Sequence, residues 1–299
     1  IAGDTAFVSV SSARGPGRDD GIYALPLGTG GKLTKLAGAP KDFHPRGIGL
    51  LASPNGQGLL LMAVNRRASP SSQGHRFSID SFEVANPHTA PALVAQGTIA
   101  GGLLINPQDV AVAGPGMFYV ANGTAGANPV LHTLQTYGVM AGGDVLYFNG
   151  MTFKVVADGL YGTRSLVLAP DGQHLIVGGL LSRDLNVFQR ESFSGTLTEG
   201  KPLGLAAGPQ MITVDPHGDL WVAGHANLAR WRAFAADRSK PSSSQVFRVN
   251  LRDGVPQSAQ QVYGNDGAQI GGASVAAASG KHLLIGSTLD GRLLDCTLQ

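Results

Sequence analysis

The sequence predicts an all-β fold: a six-bladed β-propeller with four-stranded antiparallel blades around a central channel. Three observations point there. Of 299 residues, 43 are glycine and only 14% are charged, against about 7% glycine and 25% charged in an average globular chain. The apolar runs are only four to eight residues long, too short for packed helices and right for strands. A turn containing glycine, followed by a short apolar run, recurs six times with its leading glycines 46 to 62 residues apart. A self-similar period of about 50 residues, four strands to a unit, is the signature of propeller blades. A pair of β-sandwiches would explain the strands but not the sixfold register.

The recurring run appears as Gly3-Asp-Thr-Ala-Phe-Val, Gly56-Gln-Gly-Leu-Leu-Leu, Gly114-Pro-Gly-Met-Phe-Tyr-Val, Gly172-Gln-His-Leu-Ile-Val, Gly218-Asp-Leu-Trp-Val and Gly280-Lys-His-Leu-Leu-Ile. Five copies follow another apolar run, for example Val110-Ala-Val-Ala and Leu166-Val-Leu-Ala. Three of the joining turns read Pro-Asn-Gly, Pro-Asp-Gly and Pro-His-Gly. Proline presets φ and glycine accepts positive φ, so each predicts a hairpin. A third strand follows each hairpin: Gly21 to Leu25, Phe77 to Val84, Asp144 to Phe148, Asp184 to Phe188, Gln245 to Val249 and Arg292 to Cys296. Weaker fourth runs start at Phe153 and Gln260. One helix is predicted over Asn128 to Gly138, with Pro129 in its first turn, Leu131 and Leu134 on one face and Gly138 ending it. It interrupts the third unit as a surface lid. Ser69 to Gly74 and Ala235 to Ser244 have linker-like composition but are too short to separate domains. The chain therefore reads as one domain, 1–299, with a closing strand expected upstream of Ile1.

The net charge is +2. There is no basic run or aromatic motif for nucleic acid, and no apolar stretch long enough for a membrane span. One cysteine, Cys296, excludes an internal disulfide framework and a cysteine-based zinc site. No spacing fits a serine triad or a phosphate loop. The residues entering the innermost strands are where side chains from several blades should converge. They are Pro45-Arg46-Gly47, Pro107-Gln108-Asp109, Thr163-Arg164-Ser165, Pro209-Gln210-Met211 and Ala273-Ser274, joined by Asn65-Arg66-Arg67 and Gly224-His225 at the ends of second strands.

At these residues the chain resembles the paraoxonase/arylesterase family, related to gluconolactonases and strictosidine synthase. The resemblance is strongest over Asn106 to Asn122, Leu168 to Gly172, Thr213 to His225 and Gly280 to Gly286. It implies a calcium-dependent esterase or lactonase, with two calcium ions in the channel and a histidine pair as base. Here the family's Pro-His-Gly-Ile motif reads Pro45-Arg46-Gly47-Ile48, and its Val-Asn-His motif reads Val64-Asn65-Arg66. Its calcium-binding Asn beside Asp is Gln108 beside Asp109, its Asn before Gly-Ile is Arg164, and its Asp-Asn pair is Gln210-Met211. Arginine neither ligates calcium nor acts as a base. No cofactor is therefore expected at the catalytic position. Asp109 and the Ile48 carbonyl match two positions of the family's structural calcium, which could persist at a deeper site.

His225, Arg46 and Arg66 are the candidate catalytic residues, with Arg164, Gln108, Gln210 and Ser274 as ligand-binding residues. His225 matches a histidine lining the family's pocket, and His44 is a weaker substitute base. Converging arginines suit a small anionic molecule held by bidentate contacts. Without an anion or a ring of carbonyls among them, they would repel one another. Two functions remain open: a hydrolase of an ester or lactone, or a non-catalytic propeller binding an anion or a protein partner. A monomer is expected. In the family, a cysteine near the C-terminal end joins one before the first blade. The resemblance thus implies that Cys296 pairs upstream of Ile1, in a secreted or periplasmic protein.

Overall fold

The structure is a computed structural model. It describes residues 1–12, 19–28, 30–52, 58–68, 70, 74, 76–123, 129–138 and 140–298. The predicted Pro-Asn-Gly turn and most of the serine-rich linker lie outside these residues. Six antiparallel sheets follow one another along the chain as the blades of a six-bladed β-propeller. The first holds β1 (Thr5–Val10), β2 (Gly21–Pro26) and β3 (Thr34–Lys35). The second runs β4 (Pro45–Ala52), β5 (Leu59–Arg66), β6 (Phe77–Ala85) and β7 (Ala92–Ile99) in that order. The third comprises β8 (Pro107–Gly114), β9 (Met117–Asn122), β10 (Gly143–Phe148) and β11 (Phe153–Leu160), with helix α1 (Pro129–Thr136) between its second and third strands. The fourth contains β12 (Thr163–Leu168), β13 (His174–Gly179), β14 (Asp184–Arg190), β15 (Leu197–Glu199) and the short β16 (Leu203–Gly204), which also pairs with β14. The fifth contains β17 (Gly208–Val214), β18 (Leu220–His225), β19 (Ser244–Arg252) and β20 (Val255–Asn265). The sixth has β21 (Val275–Ser279), β22 (His282–Gly286) and β23 (Leu293–Thr297).

Two departures from the sequence reading stand out. The fourth sheet carries five strands among the described residues, while the last carries the three read for it from the sequence and the first also three. A second helix, α2 (Leu228–Ala236), occupies the same place in the fifth sheet that α1 occupies in the third. It absorbs the first residues of the segment read as a linker. Asn227 starts it, its side chain accepting the Arg230 N–H at 3.0 Å.

The chain forms two compact units, Ile1–Asn122 with Leu146–Lys154, and Gly123–Val145 with Val155–Gln299. In the first, Phe7, Ile22, Phe43, Leu61 and Phe82 fill the space between the first two sheets. Val64, Ile79, Phe118, Val120 and Leu146 form the next layer. In the second unit, Ile176, Leu185, Leu220, Val222 and Phe247 pack between the fourth and fifth sheets. Trp221, Val246, Ile270 and Ile285 pack beyond them. The first two strands of each blade are apolar almost throughout because both of their faces meet a packed layer. The described hairpin turns follow the predicted chemistry. Gly172 and Gly218 take φ of 65° and 93°, and their N–H groups close turns onto Ala169 O and Asp215 O. Cys296 lies partly buried in β23 against the last layer.

Candidate functional site

Four first strands share one irregularity near their start. Pro45 faces Asn65 but Ile48 faces Ala63, so the stretch through Arg46 and Gly47 holds one residue more than its partner. The same shift falls at Gln108, between the pairs Pro107–Asn122 and Asp109–Ala121. It recurs at Arg164, between Thr163–Gly179 and Ser165–Gly178, and at Gln210, between Pro209–Gly224 and Met211–Ala223. A β-bulge leaves one residue out of the ladder and re-aims its side chain. Four of the residues selected from the sequence, Arg46, Gln108, Arg164 and Gln210, sit at these bulges.

In the first unit the bulges of β4 and β8 meet at Asn106. Arg46 Nη1 donates to Asn106 Oδ1 at 3.0 Å and to Pro107 O at 2.8 Å. Its guanidinium lies 4.9 Å from the centre of the Phe77 ring. Gln108 Nε2 donates to the same Oδ1 at 2.8 Å and to Asn106 O at 3.0 Å. Asn106 stood within the quoted motif, yet nothing in its residue type singled it out as a hub. Arg66 ends β5 opposite Phe77 and is exposed; its N–H donates to His44 O. His44 is held by two carboxylates, Asp20 through Nδ1 at 2.8 Å and Asp42 through Nε2 at 3.2 Å.

Buried asparagines pin these strand starts. Asn65 accepts the His44 N–H and donates to Asp42 O and Asp80 Oδ2. Asn122, in the equivalent place, accepts the Asn106 N–H at 3.4 Å and donates to Leu103 O at 2.8 Å. Asp109 is buried, and its Oδ1 accepts the Val110 N–H at 3.0 Å. A β-carbon on Gly47 would stand 2.2 Å from that oxygen, so only glycine lets β4 pass β8 here.

In the second unit Arg164 lies within electrostatic reach of both His225 and Arg232. His225 ends β18 opposite Gly208 and is 1% exposed. Its ring stacks on Trp231 of α2, with centroids 5.1 Å apart and planes at 22°. Neither ring nitrogen has a hydrogen-bond partner among the described residues. Burial, and then the charge of Arg164, push its pKa down to about 3, so the imidazole is neutral at neutral pH. Burial lowers the pKa of Arg164 as well, with a further contribution from Arg232.

Gln210 Nε2 and Thr163 Oγ1 are likewise buried without partners. Each can bond a ligand or water, and an unmet buried polar atom costs about 1–3 kcal/mol. Arg232 donates to Thr136 O at 2.7 Å and lies 4.7 Å from the Tyr137 ring centre. With Tyr137, Tyr161, Leu181 and Leu228 it lines a cleft of about 450 Å³. Ser274 is engaged structurally: its Oγ accepts the Thr288 N–H at 2.9 Å and donates to Gly286 O at 3.4 Å. Trp231 escaped the sequence reading because α2 did. The signal was present in Asn227 as a cap and in Leu228, Trp231 and Ala235 at helical spacing.

No helix among the described residues is long and apolar enough to cross a membrane. The pattern that defines the Arylesterase family matches residues 39–298. Human serum paraoxonase/arylesterase 2 is 30% identical over 258 residues, covering 86% of this chain and 69% of that protein. Human serum paraoxonase/arylesterase 1 is 29% identical over 259 residues, with the same coverage. Among solved structures, the periplasmic gluconolactonase of Pseudomonas aeruginosa superposes with a TM-score of 0.54 at 16% identity, covering 94% of this chain and 75% of that one. The aldose sugar dehydrogenase of Streptomyces coelicolor superposes with 0.53 at 16%, covering 97% of both chains. Those two share the fold while carrying different chemistries. The blade pattern, the strand-start motifs and the match across most of its length together place this chain in the paraoxonase/arylesterase family.

Proposed function

We propose that the protein hydrolyses an ester or lactone bond of a small anionic molecule at the His225 site of the second unit. The observation that carries this is the buried, neutral imidazole with both nitrogens unengaged, beside a guanidinium. In this reading His225 accepts the proton of the attacking water. Arg164 and the unpartnered Gln210 Nε2 stabilise the oxyanion that develops as the carbonyl is attacked. Burial is the larger cause of the low imidazole pKa; a substrate carboxylate near Arg164 would offset the smaller contribution of that guanidinium, and so strengthen the base when substrate is bound.

The reaction is proposed to run without the family's calcium. The donor set supports this. Calcium needs about six to eight oxygen ligands, whereas the corresponding positions hold Arg46, Gln108, Arg164 and Gln210. Arg46 already occupies the oxygens of Asn106 and Pro107 with its own charge. The deeper pair, Asp109 and Ile48, offers one carboxylate, whose Oδ1 already accepts a backbone N–H. These residues do not fit the ion. Function as an exported monomer is part of the same proposal, supported for export by relatives named as serum proteins.

The test is hydrolysis of phenyl acetate and of carboxylate-bearing esters and lactones, with chelator and with added calcium. Turnover indifferent to calcium and lowered at least about 100-fold in His225→Gln is the expected result. Turnover that requires calcium, or that survives in His225→Gln, overturns the mechanism. A binding propeller without chemistry is the second reading, favoured by a base whose pKa lies far below neutrality in the free protein. It predicts saturable anion binding with no turnover of any ester.

A further inference from the structure

Helix α2 carries Arg230 and Phe234 at four-residue spacing, so they lie along one side. Arg238 follows just past its C-terminal cap, Asp237. Beneath that side is a cleft of about 680 Å³, within the range of about 300–1,000 Å³ typical of small-molecule sites. Its floor is apolar. The Phe234 ring is buried, and a β-carbon on Gly271 would stand 2.8 Å from it. Leu289 and Pro241 add apolar atoms to its lining.

The rim is cationic: Arg230, Arg238, Lys240 and Arg292 line it, against two carboxylates, Asp266 and Asp290. Both acids are committed elsewhere. Asp290 accepts the Gly271 N–H at 2.6 Å and Arg292 Nε at 2.7 Å. Asp266 Oδ1 accepts the Ala268 N–H at 3.1 Å. Asp237 lies within electrostatic reach of Lys240, but its Oδ1 accepts from Ser239. Arg238 donates to Phe234 O at the end of α2 and sits 5.3 Å from the centre of the Phe234 ring, keeping its remaining donors for the cleft. Among the described residues, no carboxylate comes within 4.0 Å of the charged groups of Arg230, Arg238 or Lys240.

We infer that this cleft is a second ligand site, specific for a compact organic phosphate or sulfate ester. Three cations with no carboxylate partner within 4.0 Å, on one concavity, match the several oxygens of a multiply charged anion, and guanidinium forks match its geometry. The apolar floor takes the organic part. The cations ring a cleft rather than forming a stripe along the surface, which favours a small ligand over a polymer.

Titrations of the whole chain with phenyl phosphate, inorganic phosphate and pyrophosphate at low ionic strength test the assignment. One site per chain is expected, with phenyl phosphate held more tightly than inorganic phosphate. Arg230→Gln with Lys240→Gln should weaken it about tenfold or more. Both side chains lie on exposed residues, so the melting temperature should not change. Arg164→Gln should leave this binding intact, which separates its failure from failure of the hydrolase reading. Absence of saturable binding, loss in Arg164→Gln instead, or no change in the double variant overturns the proposal. Equal affinity for phosphate and phenyl phosphate overturns the organic ligand. Preference for long sulfated polysaccharide over its disaccharide unit overturns the small one.

Discussion

Acidification should destabilise the protein through His225 by an amount that can be worked out in advance. The buried imidazole has a pKa of about 3 in the folded chain, against about 6.5 when unfolded. Between these values the unfolded state holds the extra proton, so stability rises with pH across that window and is lost as pH falls below about 6.5. Going from pH 7 to pH 5, the linkage relation gives a loss of about 2 kcal/mol from this one group. The ring is 1% exposed, so solvent screening does not discount the figure. With an unfolding entropy of about 2.1 cal/mol/K per residue, that loss lowers the melting temperature by about 3 °C.

The assay is urea unfolding of the parent chain and of His225→Gln at pH 5, 6 and 7, read as the difference between their slopes. Glutamine does not titrate, so the variant should lack this part of the pH dependence while every other titrating group is shared. Parallel pH profiles for the two proteins would refute both the neutral, desolvated imidazole and the base role built on it.

Asn122→Ala removes a buried amide that serves both Leu103 O and the Asn106 N–H, and should cost about 2–3 kcal/mol in urea unfolding. Gly47→Ala places a methyl group 2.2 Å from Asp109 Oδ1 and 2.6 Å from backbone atoms of β8. Overpacking of that kind should cost about 3 kcal/mol or more, seen as a lowered urea midpoint. Burial, with the nearby Asp295, raises the pKa of the Cys296 thiol, so in the folded chain a disulfide reagent at pH 8 should modify it several-fold more slowly than in urea.

The blades were legible because their punctuation is local. A proline that presets φ, followed by a glycine at positive φ, marks a hairpin without reference to the rest of the chain. Outer strands were harder to read. Ala92–Ile99, at its sheet edge, buries only Leu93 and is exposed from Val94 to Thr98, so no apolar alternation announces it. Helix α2 was passed over because its apolar stripe is narrow and interrupted by arginines at 230 and 232. With it went Trp231, the stacking partner of His225.

The bulges themselves could not be read, since an extra residue is a relation between two strands, not a property of one. Residue types at the strand starts singled out Arg46, Gln108, Arg164 and Gln210, and a strand end singled out His225. They did not reveal that Arg46 and Gln108 share Asn106, or that Ser274 is occupied in closing the β21–β22 pair.

The repeated bulge has a consequence for how such a protein changes over generations. A residue inside a ladder alternates with its neighbours, so replacing it disturbs a packed layer. A residue set outside the ladder has no such duty, and the register resumes unchanged on either side of it. The positions at 46, 108, 164 and 210 are therefore sockets whose occupants can change without shifting the register of the strands they interrupt. Side chains of different chemistry can stand there while the hydrophobic layers between blades stay intact, so one scaffold can carry more than one chemistry.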